Sequence, residues 1–344
     1  MTALPGQTNT TTDVTSASPA SWPAWTPSRG VIPAIASSGP MEALRREPVP
    51  PVDDDLGFAA GAYQEVDVTL DRRNKILWCY LRPHAVPNFT HGILRELADI
   101  QRSVKRRLQD ASVRDDPPIH YVVVGSRLPG VFNMGGDLGF FADCIRAGDR
   151  AALENYARAC IEVVYNNATA LDSPIVTVAL VQGDALGGGF EAVLSFDVVV
   201  AEKSAKFGLP EILFHLFPGM GAYSLLSRKL DPARAERMIL SGRIYSAAEL
   251  HDMGLVEVVA EDGHGEDAVR HYIARHGRRH GAHSAVCAVR RRINPLTFQE
   301  LQDVTKIWVD TALRLEEVDL RRMERLMLAQ RSRLEAPANG GGGA

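Results

Sequence analysis

The chain has 344 residues, 45% of them hydrophobic and 23% charged, with a formal charge of −4 at pH 7 and a pI near 6.2. That is apolar material enough for one large domain or two smaller ones, and the charge balance offers no basic face of the kind nucleic acid requires. Four cysteines, Cys79, Cys144, Cys160 and Cys287, stand far apart with no CxxC spacing, which argues against a disulfide framework or a structural metal.

Residues 1–60 are rich in Thr, Ser, Pro and Ala, without periodicity, and are expected to be disordered. They lack the basic-then-apolar plan of a secretory signal, and with Arg29 as the first basic residue a transit peptide fits poorly. Asn9-Thr10-Thr11 matches a glycosylation acceptor, which matters only in a secreted protein. No apolar run approaches the ~20 residues that span a bilayer, so a cytoplasmic protein with no membrane partner is expected.

A catalytic core is expected over residues 61–262. Val66 to Leu70 and Lys75 to Leu81 read as strands joined in a hairpin through Asp71-Arg72-Arg73-Asn74. Thr90 suits the N-cap of a helix running to about Leu108, with Ile93, Leu97, Ile100 and Val104 on one face. Ile119 to Val124 reads as a buried strand, so strand, helix and strand imply a parallel crossover. A glycine-bearing loop follows, Gly130 to Leu138, then helical patterns to Ala147 and from Arg150 to Leu171. Strands are expected at 175–181 and 197–201, short helices at 233–240 and 247–253, and a strand at 256–259. Residues 263–335 read as a helical region. From Thr297 to Glu335 there is no Gly or Pro, and Leu301, Val304, Trp308, Leu315, Val318 and Met323 form an apolar pattern whose expected cover is a second subunit, with packing on the helices' own core as the alternative. Residues 336–344 form a Gly-rich tail, expected to be flexible.

The chemistry concentrates between Pro174 and Lys229. An apolar run feeds Gly187-Gly188-Gly189, which opens into FEAVLSF with Glu191, and Glu211 follows in LPEILFHLF. Helix N-termini carry unpaired N–H groups that favour a developing anion, and glycine lets a ligand reach them. If the Gly135-Gly136 loop lies beside the Gly187–Gly189 loop, one N–H from each forms an oxyanion hole; the glycines also suit plain tight packing. Carboxylates among apolar neighbours acquire raised pKa values and serve as acid or base near neutrality. Such a layout suits proton abstraction beside a thioester carbonyl, with loss or addition of water at the next carbon.

Other readings are weaker. Gly187 to Ala192 formally satisfies a dinucleotide-binding GxGxxA, but Gln182 to Leu186 intervene after the strand and Glu202 comes too early; a P-loop is excluded because no Gly-Lys-Ser/Thr follows. His264, His271, His276, His280 and His283 alternate with Arg270, Arg275, Arg278 and Arg279, a solvated basic segment rather than a metal site. Arg290-Arg291-Arg292 is either an exposed helix face or a contact for substrate phosphates, and Asp184 and His215 are secondary candidates for a catalytic part. No metal or cofactor is called for.

The loops FNMGGDL at 132–138 and GDALGGGFEA at 183–192, with FGLPEILFHLFPGMGAYSLL at 207–226, resemble the crotonase (enoyl-CoA hydratase/isomerase) superfamily from about Tyr63 to Val259. In combination, VFNMGGDL, GGGFEA and LPEILFHLFPGMGAYS are most similar to its diffusible signal factor synthases, which make cis-2-unsaturated fatty acid signals. The resemblance implies an α/β fold, a spiral of ββα units with a C-terminal helical oligomerisation region assembling homotrimers or hexamers. It implies the backbone N–H groups of Gly136 and Gly188 as the oxyanion hole and Glu191 and Glu211 as the acid/base pair. For a synthase the implied substrate is a 3-hydroxyacyl chain on acyl carrier protein, dehydrated to the cis-2-enoyl thioester and then hydrolysed. A signalling-system regulatory protein is a further implied partner. Met134, Leu138, Phe141, Leu213, Leu216, Phe217 and Met220 are the expected acyl pocket. Two alternatives remain at this point, an ordinary hydratase on coenzyme A thioesters and a non-catalytic regulator that keeps the fold.

Overall fold

The computed structural model describes residues 63–83, 86–110 and 116–335; the extension expected to be disordered, 1–60, and the tail 336–344 lie outside them. Strands β1 (Val66–Asp71) and β2 (Ile76–Leu81) form the expected antiparallel hairpin, with Val66 opposite Leu81. Helix α1 (His91–Gln109) starts at Thr90, whose side chain accepts the Ile93 N–H at 3.0 Å, satisfying one of the helix's orphan donors. It returns the chain to β3 (Tyr121–Ser126), parallel to β2, as the crossover spacing predicts. β4 (Gly130–Asn133) leads into α2 (Leu138–Ala147), capped by Asp137, and α3 (Arg150–Ala168), capped by Asp149. The unit recurs as β5 (Val176–Val181), β6 (Gly183–Leu186) and α4 (Gly188–Leu194). β7 (Val198–Glu202), β8 (Lys206–Gly208) and a 3₁₀ turn at Pro210–Phe214 follow. The core closes through α5 (Ala222–Lys229), α6 (Pro232–Ser241), β9 (Ile244–Ser246), α7 (Ala247–Asp252) and β10 (Val258–Ala260). Four helices complete the described chain, α8 (Gly265–Gly277), α9 (His280–Ile293), α10 (Phe298–Ala312) and α11 (Glu317–Glu335). The architecture is therefore α/β, built of ββα units with C-terminal helices.

The larger sheet has the order β1-β2-β3-β5-β7-β10. Its central strands, β2, β3, β5 and β7, are buried on both faces, so alternate residues feed two cores. Ile76, Trp78, Tyr121, Val123, Val178 and Val200 pack beneath α8, whose Val269 and Ile273 join them. Leu77, Cys79, Val122, Val124, Ala179 and Val199 face the main core shared with α1 and α3. The smaller sheet, β4-β6-β8-β9, falls where the sequence reads as loops. Its strands span only 3–4 residues, too short to show a period, and they carry glycines because their backbones nearly touch. A Cβ on Gly183 would lie 1.9 Å from the Gly130 carbonyl carbon.

The C-terminal pattern resolves differently from the expectation of a second subunit as its cover. Leu301, Trp308 and Val309 of α10 and Leu320 and Met323 of α11 are buried within the chain's own main core, with α10 packed on α3 and α11 on α2. Val318 is the exception, 49% exposed.

Candidate active site

Glu191 projects from the first turn of α4. It is 2% exposed, and its Oε1 accepts the N–H groups of Met220 at 2.8 Å and Ala222 at 3.0 Å. Gly221, at φ 126°, turns the chain between these two donors so that both face one oxygen. Burial pushes the Glu191 carboxyl up to about 7, while the two N–H groups oppose that shift by favouring its ionised form. Glu211 stands on the 3₁₀ turn after β8. The residue is only partly buried, yet its Oε2 is closed off from solvent and has no hydrogen-bond partner among the described residues. Burial, reinforced by the negative field of Glu191, pushes Glu211 up to about 8. The two carboxyls titrate as a coupled pair, so near neutrality the pair holds one proton between them.

The two glycine loops meet at this pair. A Cβ built on Gly135 would lie 3.0 Å from the Gly188 nitrogen, and one built on Gly188 would lie 3.4 Å from the Gly136 nitrogen. Among the described residues no acceptor takes the N–H of Gly136 or of Gly188. Gly187, at φ 51°, caps α4; a Cβ there would lie 2.8 Å from Glu211 Oε1. Two free amide donors and two proton-sharing carboxyls therefore open on one cleft of about 830 Å³, counted with its mouth. This is an arrangement that stabilises a developing oxyanion and moves a proton on and off a neighbouring carbon.

Of the expected acyl-pocket residues, Met134, Leu138, Phe141, Leu216 and Met220 line this cleft, as do Gly136, Gly188, Glu191 and Glu211. Leu213 and Phe217 do not. Leu213 is 55% exposed, because the 3₁₀ turn that aims Glu211 inward points the residue two positions on to the outside; Phe217 packs at the edge of the main core. Sequence reading missed Phe89, Tyr156, Cys160, Trp308 and Leu326, which also form the wall. They come from α3, α10, α11 and the loop before α1, far from the glycine motifs, and only the helical periodicity of α3 and α10 marked some of them as inward-facing.

The secondary candidates lie elsewhere. His215, in left-handed backbone at φ 60°, pairs outward with Asp319 of α11 at 2.9 Å, and Asp184 is not a wall residue of the cleft. His280 stacks on His120 with ring centroids 4.1 Å apart, and His276 and His283 gather around Tyr272; among the described residues no cluster is arranged to hold a metal ion. Arg290 and Arg291 both reach Asp197 Oδ1, at 2.5 and 2.7 Å, so they clamp α9 to the start of β7. No described helix is long and apolar enough to cross a membrane.

The family model for enoyl-CoA hydratase/isomerase matches residues 102–293. Mitochondrial methylglutaconyl-CoA hydratase of Rattus norvegicus is 32% identical over 157 residues, 46% of this chain and 48% of that protein. The chain thus spans about half the length of that relative. The protein named Probable enoyl-CoA hydratase echA8 of Mycobacterium bovis is 32% identical over 197 residues, 57% of this chain and 69% of that one. Among solved structures, the enoyl-CoA hydratase of Bacillus halodurans superposes with a TM-score of 0.63 at 22% identity, covering 76% of this chain and 100% of that one. DspI of Pseudomonas aeruginosa superposes with a TM-score of 0.54 at 22% identity, covering 77% and 95%. At that identity both likenesses concern the fold.

Proposed function

The chain belongs to the enoyl-CoA hydratase/isomerase (crotonase) family, and from that membership we propose that it adds or removes water across the α,β bond of an acyl thioester. The observation that carries this reading is the coupled pair Glu191 and Glu211 set beside the free N–H groups of Gly136 and Gly188. The two N–H groups on its Oε1 favour Glu191 as the ionised member, and the unpartnered Oε2 of Glu211 suits the protonated one. In the hydration direction Glu191 takes a proton from water as the oxygen attacks the β-carbon. The enolate oxygen is held between Gly136 and Gly188, and Glu211 delivers its proton to the α-carbon. Dehydration runs through the same states in reverse, with the shared proton starting on Glu191.

More narrowly, we propose the dehydration direction on a 3-hydroxyacyl chain carried by acyl carrier protein, giving the cis-2-enoyl thioester and one water. A second water, activated by the same pair, then attacks the carbonyl; the C–S bond breaks, and the carrier thiol leaves with a proton as the cis-2-unsaturated acid is released. Support comes from VFNMGGDL, GGGFEA and LPEILFHLFPGMGAYS and from the apolar wall of the cleft. The competing substrate, a coenzyme A thioester, is favoured by the names of the sequence relatives. Retention of both carboxyls and both donors weighs against a purely regulatory protein. We further propose a homotrimer or hexamer, acting in the cytoplasm.

The test is to incubate the purified protein with 3-hydroxydodecanoyl thioesters of acyl carrier protein and of coenzyme A, reading products by mass spectrometry. Free cis-2-dodecenoic acid from the carrier-protein thioester supports the narrower proposal. Reversible hydration without hydrolysis, on coenzyme A alone, reduces it to an ordinary hydratase. No turnover of either thioester sinks the enzyme reading.

A further inference from the structure

The Gly136 N–H is held by a device none of the motifs contains. In a trans peptide the C=O and N–H point to opposite sides, so whatever fixes the Gly135 carbonyl also aims the Gly136 N–H. That carbonyl accepts the N–H of Phe89 at 2.8 Å. Phe89 lies in the loop before α1 and meets this segment through one isolated bridge, with Gly136; the loop makes one further backbone bond to it, from the Met134 N–H to the Pro87 carbonyl at 2.7 Å. One side chain completes the hold at Phe89 itself. The Tyr156 hydroxyl, from α3, donates to the Phe89 carbonyl at 2.5 Å and accepts the Asp137 N–H at 3.2 Å.

The two peptides that flank the Gly136 Cα are thereby both fixed from outside, the first through Phe89 and the second directly by Tyr156. Glycine has no Cβ to limit its own φ and ψ. Room for one is absent too, since a Cβ on Gly136 would meet the Phe141 ring at 2.7 Å, and Phe141 in turn packs edge-on against Tyr156 with centroids 5.0 Å apart. Tyr156 is 1% exposed, and its one O–H proton is committed to Phe89, so it has none to give a substrate. Its part is played through the backbone.

We propose that Tyr156 is a positioning residue, bracing Phe89 and the Gly135–Asp137 segment so that the Gly136 N–H faces the thioester carbonyl of the substrate. The inference rests on the reading of the cleft as a thioester site. The chain of hydrogen bonds from Asp137 through Tyr156 to Phe89, together with the Phe89 bond to Gly135, also polarises the peptide that carries the donor.

The test reads the donor itself. A pantetheine analogue of dodecanoyl thioester with CH₂ in place of sulfur and ¹³C at the carbonyl cannot be hydrolysed, and infrared difference spectra report how strongly its carbonyl is polarised. Wild type is expected to shift the stretch to lower wavenumber on binding. Tyr156→Phe, which keeps the ring, is expected to lose about half of that shift or more while binding the analogue within about threefold of wild type, and to lower kcat by about 10- to 100-fold at little change in KM, less than removal of a whole oxyanion donor. If that variant fails to fold, 3-fluorotyrosine placed at 156 serves, because its stronger O–H donor should enlarge the shift. A variant carbonyl shift equal to that of wild type, for either substitution, overturns the brace. Binding to wild type with no shift at all overturns it together with the thioester reading, so the two failures are told apart.

Discussion

At the residue scale the site depends on a proton shared by two enclosed carboxyls. Water addition needs one of them ionised and the other protonated, so kcat/KM should follow a bell whose maximum lies between the two limbs, about 7 and about 8. Glu191→Gln and Glu211→Gln should each lower kcat by about 10²- to 10⁴-fold, and a full pH profile of the surviving activity should show one limb missing; an intact bell in either variant would remove that residue from the pair. The same groups link stability to pH. Glu211 rises from 4.5 to about 8 on folding, so between those values the native state holds a proton that the unfolded chain has released, and stability falls as pH rises, by at most about 1.4 kcal/mol per unit. Unfolding in urea should therefore show Glu211→Gln gaining on wild type from pH 4.5 to pH 9. Gly187 is constrained twice, by φ 51° and by the Glu211 oxygen 2.8 Å from a hypothetical Cβ. Gly187→Ala should cost about 1 kcal/mol or more and displace Glu211, lowering activity beyond the loss in stability. These residues were legible in the sequence because two glycine loops and two carboxylates in apolar runs fall together; either kind alone suits plain packing as well. Which oxygen Glu191 turns to its donors was not, since that is set by the N–H groups of Met220 and Ala222, 29 and 31 residues away.

At the scale of elements, the 3₁₀ turn carrying Glu211 is tied to α11 through Asp319, which is 5% exposed and receives Arg322 at 3.1 Å as well as His215. Because His215 and Arg322 are themselves largely open to water, Asp319→Ala should cost only about 1–2 kcal/mol, but it should speed hydrogen exchange in both 210–215 and α11. Exchange confined to α11 would show that the turn is held by other means. Asp197 does the corresponding work at the opposite end of α4. Its Oδ2 accepts from Thr177 and its Oδ1 from two guanidiniums; because Arg290 is half exposed to water, Asp197→Asn should destabilise by only about 1–2 kcal/mol in urea titrations. Elements of 6–19 residues with caps, such as α1 with Thr90 or β5, could be read from pattern alone. The 3- and 4-residue strands of the smaller sheet could not, because their pairing is decided by backbone approach at Gly130 and Gly183 rather than by side-chain period.

For the whole molecule, the strands of the larger sheet and the C-terminal helices follow from local signals, the ββα plan follows only from the family resemblance, and the closure of the site follows from neither. Trp308 and Leu326 reach the cleft from α10 and α11, more than 90 residues beyond Glu211, and nothing in the pattern of those helices aims their apolar face at the glycine loops. Since the chain's own core covers most of that face, the proposed subunit association is expected to use other surface, and light scattering on full-length protein will count the copies. One wall residue has a practical use as well. Of four tryptophans, Trp22 and Trp25 lie outside the described residues and Trp78 is buried on the far side of the larger sheet. Of the two described tryptophans, Trp308 borders the cleft, its ring 5.1 Å from Phe141 and seated over Gly219. With the other three replaced by phenylalanine, emission from one indole would report, in real time and without any label, each acyl chain that enters or leaves.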